Sequence, residues 1–126
     1  MYHPTTRVLT VLEMLQSQRS LTGAQIAEHL EVDIRTARRY IEMLDELGIP
    51  VATERGRYGG YRLMPGYKLP PLMFNEDEAL AVVLGLIAAS RNGLTAGPQG
   101  IEGALAKIER VLPEKVKRRV AAVRDT

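Results

Sequence analysis

The sequence predicts a mainly α-helical fold with one small β-hairpin, and three stretches predict it. Residues 22–47, TGAQIAEHLEVDIRTARRYIEMLDEL, keep helical spacing of apolar residues on both sides of a short break. Residues 51–64, VATERGRYGGYRLM, alternate apolar and polar around a cluster of glycines, as two short strands and a turn would. From residue 75 onward an acidic start opens a long apolar helical body, and further helical patterns follow it. Two helices across a tight turn, then a hairpin, then more helix, describe a winged helix-turn-helix followed by a helical extension.

Residues 1–4 read as a lead-in, with Thr5 or Thr6 available to cap a first helix that runs to about Gln18. Val8, Leu12 and Leu15 make its inner stripe, widened by Leu9 and Val11, so this helix packs across the next two as scaffold. The second helix has a complete start signal: Thr22 caps with its hydroxyl, Gln25 completes a capping box, and Leu21 staples onto Ile26. Its inward stripe is Ile26, Ala27 and Leu30. Glu31-Val32-Asp33 then makes the turn, with Val32 plugging the corner and Asp33 as N-cap of the third helix.

In that third helix, 33–47, Ile34, Ala37, Ile41 and Leu44 fall on one stripe and form the expected core face. Arg35, Thr36, Arg39, Glu42 and Met43 project roughly opposite, with Arg38 on one border and Tyr40 on the other. Arginine pairs bidentately with guanine O6 and N7, and a recognition helix meets base edges with its N-terminal residues, so three arginines in the first two turns point to DNA. Thr36 adds a hydroxyl or methyl contact. The alternative is an ordinary solvated face, with Arg38 paired to Glu42 at i, i+4.

The hairpin stands where a wing belongs. Gly48 stops the third helix and Pro50 keeps it from resuming. Gly56, Gly59 and Gly60 allow a tight tip, and Tyr61 and Leu63 alternate with Arg62 as a half-buried strand does. The tip offers Arg57 and Tyr58, placed to enter a minor groove or to neutralise phosphate; the alternative for Arg57 is plain surface charge. The candidate DNA contacts are therefore Thr22, Asp33, Arg35, Thr36, Arg38, Arg39, Tyr40, Arg57 and Tyr58.

These residues resemble a known family. Leu30-Glu31-Val32, Arg35-Thr36, Arg38-Arg39, Leu44, Gly48-Ile49-Pro50, Gly59-Gly60-Tyr61-Arg62-Leu63 and Leu72-Met73-Phe74 before an acidic helix start are similar to the N-terminal winged helix of bacterial WYL-domain transcriptional regulators, with a DeoR-type, type 11 helix-turn-helix. The resemblance spans almost the whole chain. Two positions depart from the pattern, Asp33 where the family usually has Ser and Tyr40 where it has an acidic residue. It implies a DNA-binding regulator whose ligand-sensing WYL domain would follow residue 126; with no tryptophan in the chain, the tripeptide naming that domain is absent and no ligand-binding domain is expected here.

Beyond the wing, Pro65-Gly66-Tyr67-Lys68-Leu69-Pro70-Pro71 breaks regular structure repeatedly, which predicts a winged helix over 1–64, a linker over 65–74 and a helical extension over 75–126. Asn75 with Glu76, Asp77 and Glu78 is a capping start rather than a metal or acid/base site. The body that follows, 79–89, is ALAVVLGLIAA, without a charge, and predicts burial on more than one side, the basis for expecting a homodimer through helix 75–91. Val82, Leu86 and Ala89 lie away from the Leu80, Val83, Leu84 and Ile87 side that faces the next helix. That helix is expected to begin at Pro98, with Ile101, Leu105, Ile108 and Leu112 inside. After Pro113 a last helix sets Val116, Val120 and Val123 inside and Lys115, Lys117, Arg118, Arg119 and Arg124 outside, a basic face better read as solvated than as a second DNA contact.

The bulk composition narrows the classes. A net charge of +2 is too mild to name a nucleic-acid partner by itself, so placement of the arginines carries that inference. With no cysteine and two histidines, His3 and His29, the chain lacks a disulfide framework, a thiol nucleophile or a typical zinc site, and no cofactor or metal is expected. No apolar run reaches the roughly 18 residues of a membrane span, and a cytoplasmic protein with no membrane partner is expected. The reading is a sequence-specific transcriptional regulator, not an enzyme, that binds double-stranded DNA with helix 33–47 in the major groove and wing 51–64 on the flank. The alternatives are the leading module of a larger, biotin ligase-like enzyme, disfavoured because no nucleotide-binding glycine motif appears, and a protein-interaction module.

Overall fold

The computed structural model describes residues 4–55, 59–66, 69–97 and 99–124. Along them run α1 Pro4–Ser17, α2 Gly23–Leu30, α3 Ile34–Glu46, β1 Val51–Thr53, β2 Tyr61–Leu63, α4 Glu76–Arg91, α5 Gly100–Glu109 and α6 Glu114–Arg124. The fold is mainly helical with a two-stranded antiparallel hairpin: a winged helix-turn-helix followed by a helical extension. Two compact units divide between Met73 and Phe74.

In the first unit α1, α2 and α3 bury one stripe each: Val8, Val11, Leu12 and Leu15; Ile26, Ala27 and Leu30; Ala37, Ile41 and Leu44. Leu21 and Ile49 close the two ends of this core. Helix α1 already includes Pro4 and Thr5, so neither Thr5 nor Thr6 caps it as expected; Thr6 lies inside, its carbonyl accepting from the Thr10 hydroxyl. Two stripe residues are also corrected. Leu9 is exposed, because the four buried positions of α1 already fill its inner face. Ile34 is 45% exposed, because it is the first residue of α3 and the core ends one turn later at Ala37. Met43, expected on the outer face, is half-buried against the core.

Helix α3 ends on Leu47, and Gly48 at φ +85° takes the left-handed conformation that turns the chain away. The Asp45 carboxylate then accepts from the Val51 N–H at 3.0 Å, tying the helix end to the start of β1. Within the hairpin Val51 faces Leu63, Ala52 faces Arg62 and Thr53 faces Tyr61. Outside it, Leu21 adds a one-residue third strand: its N–H donates to the Tyr61 carbonyl at 2.9 Å and its carbonyl accepts from the Tyr61 N–H at 2.7 Å. This fixes the wing to the residue just before the α2 cap. Gly60 permits it, since a β-carbon there would stand 2.6 Å from the Leu21 carbonyl oxygen.

The proline-rich segment is anchored at its far end, because the Gln16 amide donates to the Pro71 carbonyl at 2.9 Å and accepts from the Met73 N–H at 3.0 Å. In the second unit, the Asn75 side chain accepts from the Glu78 N–H at 2.8 Å and Glu78 returns the bond at 3.0 Å, the capping box that starts α4. Val83 of α4 is buried with Leu112, Val116 and Val120, and Ala79, Leu80, Ile87, Leu105 and Ile108 pack around them. Helix α5 opens at Gly100 behind Gln99, so the helix does not start at Pro98, which lies outside the described residues. Val123 is 48% exposed rather than inside, in the last turn of α6, past the end of the apolar cluster. No helix among the described residues is long and apolar enough to cross a membrane.

Candidate nucleic-acid interface

The geometry of the front face begins at the turn between α2 and α3. Glu31 takes φ +57° and donates its N–H back to Ala27 and Glu28, ending α2, while the Val32 N–H also returns to Ala27 at 3.0 Å. Arg7 of α1 donates its guanidinium to the Leu30 carbonyl, a long-range clamp on the same corner that sequence spacing does not announce. Asp33 then caps α3 by accepting from the Thr36 N–H at 2.7 Å. The Thr36 side chain first, and its backbone N–H second, hold the Asp33 carboxyl below its ordinary range, so the cap is ionised near neutrality. The start of α3 is thereby fixed in direction.

Arg35 and Arg38 stand exposed on the first two turns of α3, above the buried Ala37 and Ile41. Among the described residues Arg38 makes no ion pair, while Arg35 lies in the field of the Asp33 carboxylate. Arg39 differs. Its guanidinium pairs with Glu46 at 3.0 Å and with Glu42 at 3.2 Å, and these carboxylates hold it more firmly protonated still. The Arg38–Glu42 pair that i, i+4 spacing suggests is not formed; Arg39 takes Glu42 instead. Thr36 is half-buried, and the Tyr40 ring packs against the core. The Thr22 hydroxyl accepts from the Gln25 N–H at 3.0 Å, and the Gln25 amide accepts from the Thr22 N–H at 2.8 Å, so its first task is the expected capping box.

Between α3 and the hairpin runs a furrow of about 330 Å³, bordered by Gly23, Ile34, Arg38, Arg55, Gly60 and Tyr61. Arg55 is an exposed cation there that sequence reading passed over. Arg62 is paired with Glu54 at 2.8 Å. Arg57 and Tyr58 lie outside the described residues. On the second unit, Arg119 pairs with Asp77 at 3.3 Å and Arg124 with Glu109 at 2.9 Å, which accounts for part of the basic face of α6. Among the described residues no group of three or more histidines, aspartates or glutamates could hold a metal ion.

Comparison with known proteins agrees with this geometry. The chain is 32% identical over 109 residues to the uncharacterized HTH-type transcriptional regulator YobV of Bacillus subtilis (strain 168), a match that covers 86% of this chain and 34% of that protein. The chain thus spans about a third of the length of that curated relative. Residues 7–62 match a family model described as HTH domain. The match starts inside α1 and ends within β2, enclosing the capped turn, the arginine-bearing helix and the hairpin, and residues 7–62 are accordingly an HTH domain.

Proposed function

We propose that the chain is the DNA-binding portion of a sequence-specific transcriptional regulator of the WYL-domain type, with α3 in the major groove and the wing on the flanking DNA. The observation that carries this is the pair Arg35 and Arg38, exposed on the first two turns of a helix that buries Ala37, Ile41 and Leu44 in the core. The name of the Bacillus relative supports the regulatory half of the reading. Base edges are read by Arg38 and Arg35, and Thr22, Thr36 and Tyr40 on the flanks reach phosphates; Arg57 and Tyr58, outside the described residues, are assigned from sequence alone to the neighbouring groove. Binding, not catalysis, is the task of this surface. A duplex selected from a random pool should be held well above random DNA. Its affinity should fall by about two orders of magnitude between roughly 50 and 200 mM salt, as the neutralisation of about four phosphates by arginine or lysine side chains would give. Affinity indifferent to salt, or a pool that yields no preferred sequence, would reject this reading.

Two such domains on a two-fold axis would place a pair of recognition helices on matching half-sites, and the second contact then becomes effectively intramolecular. Val82, Leu86 and Ala89 of α4 follow one stripe and are half-buried without belonging to the apolar cluster around Val83. We assign them to a homodimer contact. In sedimentation the wild type should run as a dimer and the Val82→Glu, Leu86→Glu double variant as a monomer, since four carboxylates would be forced together across the axis. A wild type that is monomeric at high micromolar concentration would overturn the assignment.

A further inference from the structure

Ile34 is an apolar side chain that the core does not use. It is 45% exposed, at the first position of α3, with Arg35 beside it and Arg38 one turn on. A lone exposed isoleucine is ordinary on most surfaces and needs no explanation. Its place here is not ordinary. The other exposed side chains described on α3 are Arg35, Arg38, Arg39, Glu42, Asp45 and Glu46, so Ile34 is the apolar group on a charged face.

We propose that Ile34 reads a thymine methyl group. The inference rests on the DNA-binding assignment above and adds the base that arginine cannot read. Arginine selects guanine through two acceptors, whereas thymine is marked in the major groove by its C5 methyl, which only an apolar partner rewards. Ile34 has the geometry for such a contact. Its Cγ2 rests at the start of α2, where a β-carbon on Gly23 would stand 3.6 Å from it and 3.7 Å from the Tyr61 ring. Ile34 thus lies beside Gly23 and borders the furrow that Arg38 also borders. A guanine held by Arg38 would then have a thymine for its neighbour, with the methyl taken out of water against Ile34.

The test uses the selected duplex and a series in which each thymine is replaced singly by deoxyuridine, which removes the methyl and keeps the base pairing. For the wild type, one replacement in each half-site should weaken binding about fourfold, the ratio that corresponds to about 0.8 kcal/mol for one methyl removed from contact. Ile34→Ala should bind the unmodified duplex and every deoxyuridine duplex alike. Ile34→Val, which keeps a branched methyl, should retain the preference. Circular dichroism should show both variants folded, as an exposed side chain at a helix start allows. A wild type indifferent to every replacement, a selected half-site without thymine, or Ile34→Ala with the full wild-type ratio would each overturn the proposal while sequence-specific binding stood. If the pool yields no preferred duplex, the DNA-binding assignment itself fails and Ile34 falls with it.

Discussion

Arg38→Ala should weaken binding to the selected duplex by about 1–3 kcal/mol and flatten the preference for guanine at one position of each half-site. Arg38 is exposed on the second turn of α3 and makes no ion pair among the described residues, so its guanidinium can meet a base without first giving up a partner. Arg39→Ala should behave differently. Its side chain is engaged by Glu46 and Glu42, and to reach a base it would have to leave both. Removing it exposes two carboxylates toward a polyanion, so affinity should fall evenly over all sequences with base preference unchanged. Arg35→Ala should resemble Arg38→Ala, tempered by the Asp33 carboxylate that shares its field. The measurement is anisotropy titration of each variant against the selected duplex and its single-base substitutions. If Arg38→Ala kept the wild-type base preference and Arg39→Ala lost it, the reading residue would be Arg39, and the two glutamates would be a resting clasp released on DNA.

What could be read from sequence and what could not divide along a physical line. The Thr22–Gln25 capping box, the Asn75 and Asp33 caps and the Gly48 stop were all legible, because each is set by residues within four positions of each other. Most buried stripe positions were legible, but the stripe failed at Ile34 and Val123, where periodicity continues and the partner surface has run out, and at Leu9 and Met43, which lie at the edge of the buried face. Long-range contacts left no periodic trace: Arg7 on Leu30, Gln16 on Pro71 and Met73, and Leu21 on Tyr61 each join segments that spacing treats separately. The choice of Arg39 over Arg38 as the glutamate partner was open for a related reason. Spacing favours i, i+4, yet a long guanidinium on an exposed helix can span i, i+3 and i, i+7 together when two acids lie on its side.

The Leu21–Tyr61 contact leads to the largest expected loss of stability. Gly60→Ala should lower the stability of the first unit by roughly 3 kcal/mol, combining about 1–3 kcal/mol of overpacking with the weakening of two backbone hydrogen bonds at about 1 kcal/mol each. The added β-carbon would stand 2.6 Å from the Leu21 carbonyl oxygen and 3.3 Å from the Thr22 nitrogen, both backbone atoms with no rotamer to yield. Relief requires β2 to move off Leu21, which gives up the bonds of 2.9 and 2.7 Å between Leu21 and Tyr61. That movement pulls on Thr22, whose capping box starts α2, and it loosens β2 while the Asp45 bond still holds β1, so the angle of the wing to α3 is less firmly set. Thermal unfolding of the first unit should move down by about 10 °C or more, since each 1 kcal/mol is worth roughly 4–8 °C in a domain of this size. Specific DNA binding should weaken in the fraction that remains folded. Gly103→Ala provides the matched control: it lies in α5, nothing stands within 4 Å of the β-carbon, and the change should stabilise the helix slightly. A Gly60→Ala protein that melts within about 2 °C of wild type would mean that the wing is not held at Leu21 in solution, and the fixed angle between wing and recognition helix would have to be abandoned.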